Sequence, residues 1–362
     1  MPRIPLTIHG RAAVDNPPNR FDPIVLEPDP DWLQTESADP TLPPTQYFRD
    51  TSRSIICHND SPDVGFEYSI NPYRGCEHGC VYCYARPTHE YLSLGAGLDF
   101  ETKIFVKLDA PQLLRKELSS PKWLGQAIAF AGVTDCYQPI ERRLRITRGC
   151  LEVCAEFRNP VGIVTKSHLV TRDLDLLSEL SRYQAAIVFV SVTTLDAALS
   201  AAMEPRAAAP SRRLQTIAEL SGAGIPVGVM VAPLIPGLTD HELPAILSAA
   251  ARAGARTCGY VPLRLPGAVA TIFQTWLDRH YPDRKRKILN RIRSIRAGKL
   301  NDSEFHSRMR GSGAFAEQFR AMFQIARRRA GLDRDVPQLC GEHFRRPDTA
   351  ATHVRHTQLT LW

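Results

Sequence analysis

No run of apolar residues in the 362-residue sequence approaches the roughly 20 that a membrane-spanning helix requires. The opening stretch, "MPRIPLTIHGRAAVDNPPNRFDP", lacks an apolar core of signal-peptide length, so a cytoplasmic location and no membrane partner are expected. The cysteines are nine, an odd number in a large chain without an export signal; a disulfide framework is therefore not expected, and the thiols are read as reduced. No internal repeat is visible. The first 60 residues lack periodic apolar pattern and are rich in proline ("EPDPDW", "DPTLPPTQ"), which reads as a mostly irregular leader without recognisable chemistry. An apolar fraction of 43% and a charged fraction of 23% are those of a soluble globular chain, long enough for one large domain with extensions or for two modest ones.

From about Phe66 the texture changes to short apolar or β-branched runs. They are "FEYSI" (66–70), "AIAFAG" (127–132), "VGIVTK" (161–166), "AIVFVSVTT" (186–194), "PVGVMVAPLI" (226–235) and "CGYVPLRL" (258–265). Between them "APQLLRKELSS", "IERRLRITRGCLEVCAEF", "TRDLDLLSELSRY", "PSRRLQTIAELSGAG" and "HELPAILSAAARAGA" repeat apolar residues at helical spacing. Strict alternation predicts parallel strands with right-handed crossovers, and near-continuous apolar strands predict a sheet covered on both faces. Six units in about 200 residues are too few for an eight-fold barrel, so the expected fold is α/β, a partial (β/α)6 TIM-type barrel over 61–266. A basic helical extension (267–332) and a polar tail (333–362) follow. In such sheets the chemistry gathers at the C-terminal strand ends.

Charge is unevenly spread. The net charge is +7, but from Arg279 onward there are 19 basic and 8 acidic residues, and the rest of the chain is slightly acidic. A polyanionic partner and a generic solvated surface are both compatible with that concentration.

The sharpest local signal is "GCEHGCVYCY" (75–84), which places Cys76, Cys80 and Cys83 on one loop directly after the first expected strand. Gly75 and Gly79 allow the backbone to curl around a bulky object. Thiolates suit zinc, cuprous ion and iron-sulfur clusters. Structural zinc wants four closed ligands; no second CxxC pair follows, and His78 is the only nearby candidate for a fourth. A [4Fe-4S] cubane held by three thiolates leaves one iron open for chemistry, which makes the missing fourth cysteine informative.

The CxxxCx(aromatic)C spacing in this context, with Tyr82 at the aromatic position, resembles the radical S-adenosylmethionine enzymes. "NPYRGCEHGCVYCYARPTHEY", "GVTDCYQPIE" and "VAPLIPGLTD" are further similar to the spore photoproduct lyase-like or "DNA repair photolyase" branch, over about Phe66 to Gly313. The resemblance implies a cluster on the three cysteines and S-adenosylmethionine bound at the open iron by its amino and carboxylate groups. It also implies an electron-donating reductant, and reductive cleavage to a 5′-deoxyadenosyl radical that abstracts hydrogen from a substrate.

The same resemblance nominates supporting residues. Gly132, Thr134 and Asp135, ending the second strand, would face the methionine amino group; Lys166 and Ser191 would meet its carboxylate. The backbone from Leu234 to Gly237 would lie along adenine. Arg206 ("MEPR") and Arg264 ("PLRLP"), expected on the same rim, are candidates for a phosphate or carboxylate of the substrate. Gly132 stands where spore photoproduct lyases carry a hydrogen-donating cysteine, a departure from their pattern; Cys136, four residues on, is the candidate substitute. Cys150 and Cys154, neighbours on one helix face, read as small core residues.

The last five residues, "QLTLW", resemble the bacterial sliding-clamp-binding motif, with Gln358, Leu359, Leu361 and the anchor Trp362 as the contacts; docking back on the chain's own domain is the other reading. The leading expectation is a radical S-adenosylmethionine enzyme acting on DNA or another nucleic acid in repair or modification, with lyase chemistry of the photolyase-like kind as the form the resemblance implies. A protein or small-molecule substrate is the alternative, and a zinc-stabilised nucleic-acid-binding module the non-enzymatic one.

Overall fold

The six apolar runs all become strands of one sheet. The computed structural model describes residues 10–13, 15–17, 19–21, 44–130, 132–333 and 338–347. Its strands are, in chain order, β1 (Gln46–Arg49), β2 (Ile56–His58), β3 (Tyr68–Ile70), β4 (Tyr73–Arg74), β5 (Lys103–Val106), β6 (Ile128–Phe130), β7 (Val161–Thr165), β8 (Ala186–Ser191), β9 (Val227–Leu234) and β10 (Thr257–Pro262). The main sheet has the order β10-β9-β8-β7-β6-β3-β2. All six strands from β3 to β10 in it run parallel; β2 adds an antiparallel edge.

Consecutive order without a reversal distinguishes this sheet from a doubly wound one, whose order turns back at a switch point. Right-handed crossovers that always step the same way place every connecting helix on one side, as in a barrel. β3 and β10 are the ends of the parallel set and do not pair, so the barrel is partial. Helices Ala110–Leu118, Ile146–Phe157, Leu174–Ser181, Pro210–Gly222 and Leu243–Arg252 follow the expected stretches. Their apolar stripes bury Leu114, Leu151, Leu177, Ile217 and Ile246 in one core with Ile128, Ile163, Val188 and Val229 of the strands.

Three details differ from the sequence expectation. The stretch 140–157 is two helices, Glu141–Leu144 and Ile146–Phe157, split at Arg145 with φ of 53°. The Glu141 carboxylate explains the restart, because it accepts from the backbone N–H groups of Thr147 and Arg148 and so satisfies the free end of the second helix. A second sheet of order β1-β5-β4 also forms, partly from residues assigned to the leader. Finally, 338–347, within the expected polar tail, docks on the barrel: Cys340 and Arg345 donate backbone hydrogen bonds to Gln184 O and Phe157 O, and Phe344 sits on Phe157.

The extension supplies Val269–His280, Pro282–Ser294, Ser307–Arg310 and Ala314–Arg329. Ile272, Phe273, Trp276, Leu277, Ile288 and Ile292 of its first two helices build a second core with Cys80, Val81 and Tyr82, so the extension underpins the cysteine loop. Phe319 and Phe323 of the last helix join the main core. Among the described residues no helix is long and apolar enough to cross a membrane.

Candidate active site

The loop 75–84 leaves β4 at the C-terminal side of the barrel. Two left-handed glycines shape it: Gly75 (φ 77°) and Gly79 (φ 65°). A methyl group on Gly79 would lie 2.8 Å from Glu101 Oε2, and one on Gly75 would lie 2.9 Å from the His89 ring, so backbone sign and close packing both demand glycine. Gly79→Ala is expected to cost about 1–2 kcal/mol from the left-handed conformation alone, and more as Glu101 is displaced. Thermal unfolding together with iron content after anaerobic reconstitution checks this.

Cys76 and Cys80 are buried and Cys83 is partly so; none is in a disulfide. Burial pushes the Cys76 and Cys80 thiols up, with Lys166 opposing the rise at Cys80. Such thiols become thiolates only against a cationic centre, as metal ligands do. Among the described residues no three His, Cys, Asp or Glu side chains converge on a point able to hold a single metal ion. A cubane takes one thiolate at each of three separate irons, so its three donors need not meet at one point. His78, the candidate fourth zinc ligand, is buried and lies with Nδ1 3.3 Å from Asp135 Oδ2. Its partner is a carboxylate.

The loop is clamped by a buried guanidinium that sequence reasoning missed. Arg86 is fully buried and donates Nε to Cys80 O (3.0 Å), Nη1 to Ala96 O and Gly97 O (3.2 and 2.9 Å), and Nη2 to Gly79 O (3.1 Å) and Glu101 Oε1 (2.5 Å). Glu101 in turn accepts from the backbone N–H groups of Ala12 and Ala13. On the far side, buried Glu77 receives Tyr47 Oη, the Ile140 N–H and Arg206 Nη2. Arg206, expected to face substrate, is therefore ion-paired, at 3.1 Å. Tyr82 packs in the second core, and its hydroxyl lies 3.2 Å from Thr193 Oγ1 and donates to Glu204, which also holds Arg213.

The other nominated residues ring this loop. Lys166 Nζ lies 5.8 Å from the Tyr82 ring centroid. Ser191 is buried at the end of β8, and its carbonyl accepts from Arg213 Nη1. Gly132 O accepts from Tyr84 Oη at 2.6 Å, and Thr134 Oγ1 donates to Tyr73 O. Asp135 is surrounded by donors: Thr165 Oγ1, the N–H groups of Lys166 and Tyr137, and the His78 ring. Burial alone would raise its pKa, but His78 and these N–H groups outweigh it and hold the carboxyl at about 2. Leu234 is buried, while Gly237 (φ 79°) accepts Arg284 Nη2 on its carbonyl. Arg264 stands beside Tyr84, with the guanidinium 5.9 Å from the ring centroid. Cys136 is 1% exposed in the main core, its thiol donating to Phe130 O, a position closed to any substrate. Gln358, Leu359, Leu361 and Trp362 lie outside the described residues.

Comparison with known proteins decides the family. The Radical SAM superfamily model matches residues 70–250, half of the chain, and spans the cysteine loop and strands β6 to β9. The chain belongs to the radical SAM superfamily. An uncharacterized protein of Mycobacterium tuberculosis is 38% identical over 241 residues, 64% of this chain and 71% of that protein. Another, from Methanocaldococcus jannaschii, is 30% identical over 184 residues, 51% of this chain and 66% of that protein. Among solved structures, a single-residue variant of spore photoproduct lyase aligns with a TM-score of 0.58 and 16% identity, covering 81% of this chain and 82% of that one; the likeness is of fold. Radical SAM enzymes use a [4Fe-4S] cluster and S-adenosylmethionine. In this radical SAM chain the three cysteines of the buried loop are the donor set that suits such a cluster.

Proposed function

We propose that this radical SAM enzyme acts on nucleic acid, in DNA repair or modification, within the reducing cytoplasm. When bound, the cluster and S-adenosylmethionine supply reductive cleavage of the sulfonium and a 5′-deoxyadenosyl radical. The chain's own residues do the rest. Cys76, Cys80 and Cys83 hold the cluster, and Tyr82 walls it. Lys166 and Ser191 offer a cation and a hydroxyl to the methionine carboxylate. Thr134 and the backbone around Asp135 close the side of the amino group, and Leu234 to Gly237 that of adenine.

The observation that carries the substrate class is the position of the basic helix Pro282–Ser294. Arg284 donates to Gly237 O and Arg291 to Asp240 Oδ2, so this helix lies against the loop that follows β9, at the strand ends. Arg286 and Lys287 on it are exposed, and Lys299 just beyond is as well. Positive charge at the mouth of a radical SAM barrel favours a polyanion by long-range attraction and counterion release.

Anaerobically reconstituted protein is expected to cleave S-adenosylmethionine on reduction and to bind duplex or single-stranded DNA with affinity that falls steeply as salt rises. Arg286→Glu with Lys287→Glu is expected to weaken binding by about tenfold or more, read by fluorescence anisotropy. No DNA binding at low salt would overturn the nucleic-acid reading. Deuterium exchange between candidate nucleic acids and 5′-deoxyadenosine identifies the substrate. The terminal "QLTLW" as a sliding-clamp contact is part of the same proposal, tested by clamp pull-down with and without those five residues.

A further inference from the structure

Two arginines at the C-terminal end of β10 carry positive charge that no carboxylate among the described residues pairs. Arg296 is 1% exposed and spends Nη1 on Ser307 O and Arg308 O and Nη2 on Pro262 O and Leu263 O, all neutral carbonyls. Its buried Nε has no partner. Arg264, two residues after β10, has only the Met309 sulfur, a weak acceptor, at 3.3 Å from Nη1, and its buried Nε is also unpartnered. Burial lowers the pKa of both guanidinium groups, Arg308 adding to it at Arg264 and Arg264 at Arg296, against a weaker opposing pull from Asp302 on both and from Asp63 on Arg264.

The acidic groups nearby are engaged elsewhere. Asp63 pairs with Arg308 and accepts the His306 N–H, while Asp302 accepts Ser307 Oγ and the Glu304 N–H. Half-buried charge is normally paired, because leaving it unpaired costs several times what an exposed charge costs. A half-buried guanidinium beside the residue that follows the third cysteine of the loop, with no carboxylate on it, is thus suited to receive an anion at its Nη end.

We infer that Arg264, backed by Arg296, binds an anionic oxygen pair of the substrate, and that the anion is a nucleic-acid phosphodiester. This rests on the nucleic-acid reading above. A feature of the same rim favours a phosphodiester over an acidic peptide. Phe305 is 53% exposed, with the Arg308 guanidinium 4.4 Å from its ring centroid, and gives a flat apolar platform of the kind on which bases stack. Arg264 then fixes the strand's backbone next to the reacting nucleotide while the exposed basic helix attracts its flanks.

The test uses the full-length, reconstituted protein and a short fluorescent oligonucleotide, single-stranded and duplex, across a salt series. Arg264→Gln is expected to weaken binding by about tenfold or more and to make the slope of log affinity against log salt shallower by about one. Arg264→Lys keeps the charge and loses the fork; it is expected to weaken binding while preserving the slope. Iron content and thermal midpoint report folding for both variants. If Arg264→Gln does not fold, the slope and affinity of Arg264→Lys decide alone. Binding by the unaltered protein with unchanged affinity and slope in the variants would overturn this site and leave the nucleic-acid reading intact. No binding by the unaltered protein at low salt would overturn both. Arg264-dependent capture of an acidic peptide, with oligonucleotides indifferent to the substitution, would overturn the phosphodiester assignment.

Discussion

Cys80→Ala is expected to leave a chain that folds but holds little iron after anaerobic reconstitution and does not cleave S-adenosylmethionine above background. Losing one partner behind a metal ligand already costs about 10–100-fold; losing a thiolate itself is expected to exceed roughly a thousandfold. The side chain is small and the loop is held by its backbone, since Arg86 grips Cys80 O and not the sulfur, so the fold survives the change. Cys136→Ala supplies the contrast. Its thiol belongs to the main core, where loss of one buried sulfur costs about 1 kcal/mol, and iron content and cleavage should persist. Iron and sulfide assay with product analysis of 5′-deoxyadenosine reads both. A Cys80→Ala protein that still cleaves the co-substrate would remove this residue from the cluster, and a Cys136→Ala protein that cleaves but forms no substrate product would restore Cys136 as a hydrogen donor.

What could be read in the sequence was what is local or periodic. Near-continuous apolar runs at regular spacing become β3 and β6 to β10 because burial on both faces leaves no polar alternation to confuse the signal. The cysteine loop is legible for the same reason: ligand spacing is contained within eight residues. The small sheet is not, because β4 has two residues and the four residues of β1 are all exposed, so neither has a period to detect. Buried charges are the other blind spot. Arg86, Glu101, Glu77, Glu204 and Arg213 are each at most 1% exposed, and each is tolerated only through a partner brought from elsewhere in the chain. Nothing beside Arg206 in "MEPR" announces Glu77 as its mate, so a cation free to meet substrate and one already paired look alike in sequence. Arg264 shows the converse. Its rim position was readable, but its lack of a carboxylate partner emerges only when the loop 295–310 has folded over it and offers the Met309 thioether instead.

These buried pairs also explain how a soft loop can hold three thiols in fixed positions. Each end of 75–84 is tied to a different element: Glu77 to β1, to the helix Glu141–Leu144 through Ile140 at its start, and to Arg206; Gly79 and Cys80 to Arg86; Tyr82 to Glu204 and Arg213. The cysteine loop is therefore held by charge pairs rather than by loop stiffness, which makes it rigid when every partner is present and vulnerable to the loss of one.

Arg86→Met is accordingly expected to be the most damaging single change outside the cysteines. It strips the buried Glu101 carboxylate of its guanidinium partner, leaving it the Ala12 and Ala13 N–H groups, and it removes a donor from four backbone carbonyls of the loop and of residues 96–97 at once. Breaking a buried ion pair by removing one partner costs about 3–5 kcal/mol, and the lost carbonyl bonds add to it. Arg86→Lys is expected to recover little, since an ammonium has three donors and no planar fork, whereas the guanidinium reaches five acceptors here. Arg86→Met with Glu101→Leu is the informative double variant. Removing both charges eliminates the orphaned carboxylate, so the double variant should regain part of the stability lost in Arg86→Met, as denaturant unfolding would show. It should not regain iron, because Gly79 O is left without a donor and Cys80 O with the Cys83 N–H alone, so the loop no longer holds Cys80 in place. Stability and cluster content thus move separately across the three variants, and a double variant that recovered both would show that the pair serves the fold alone.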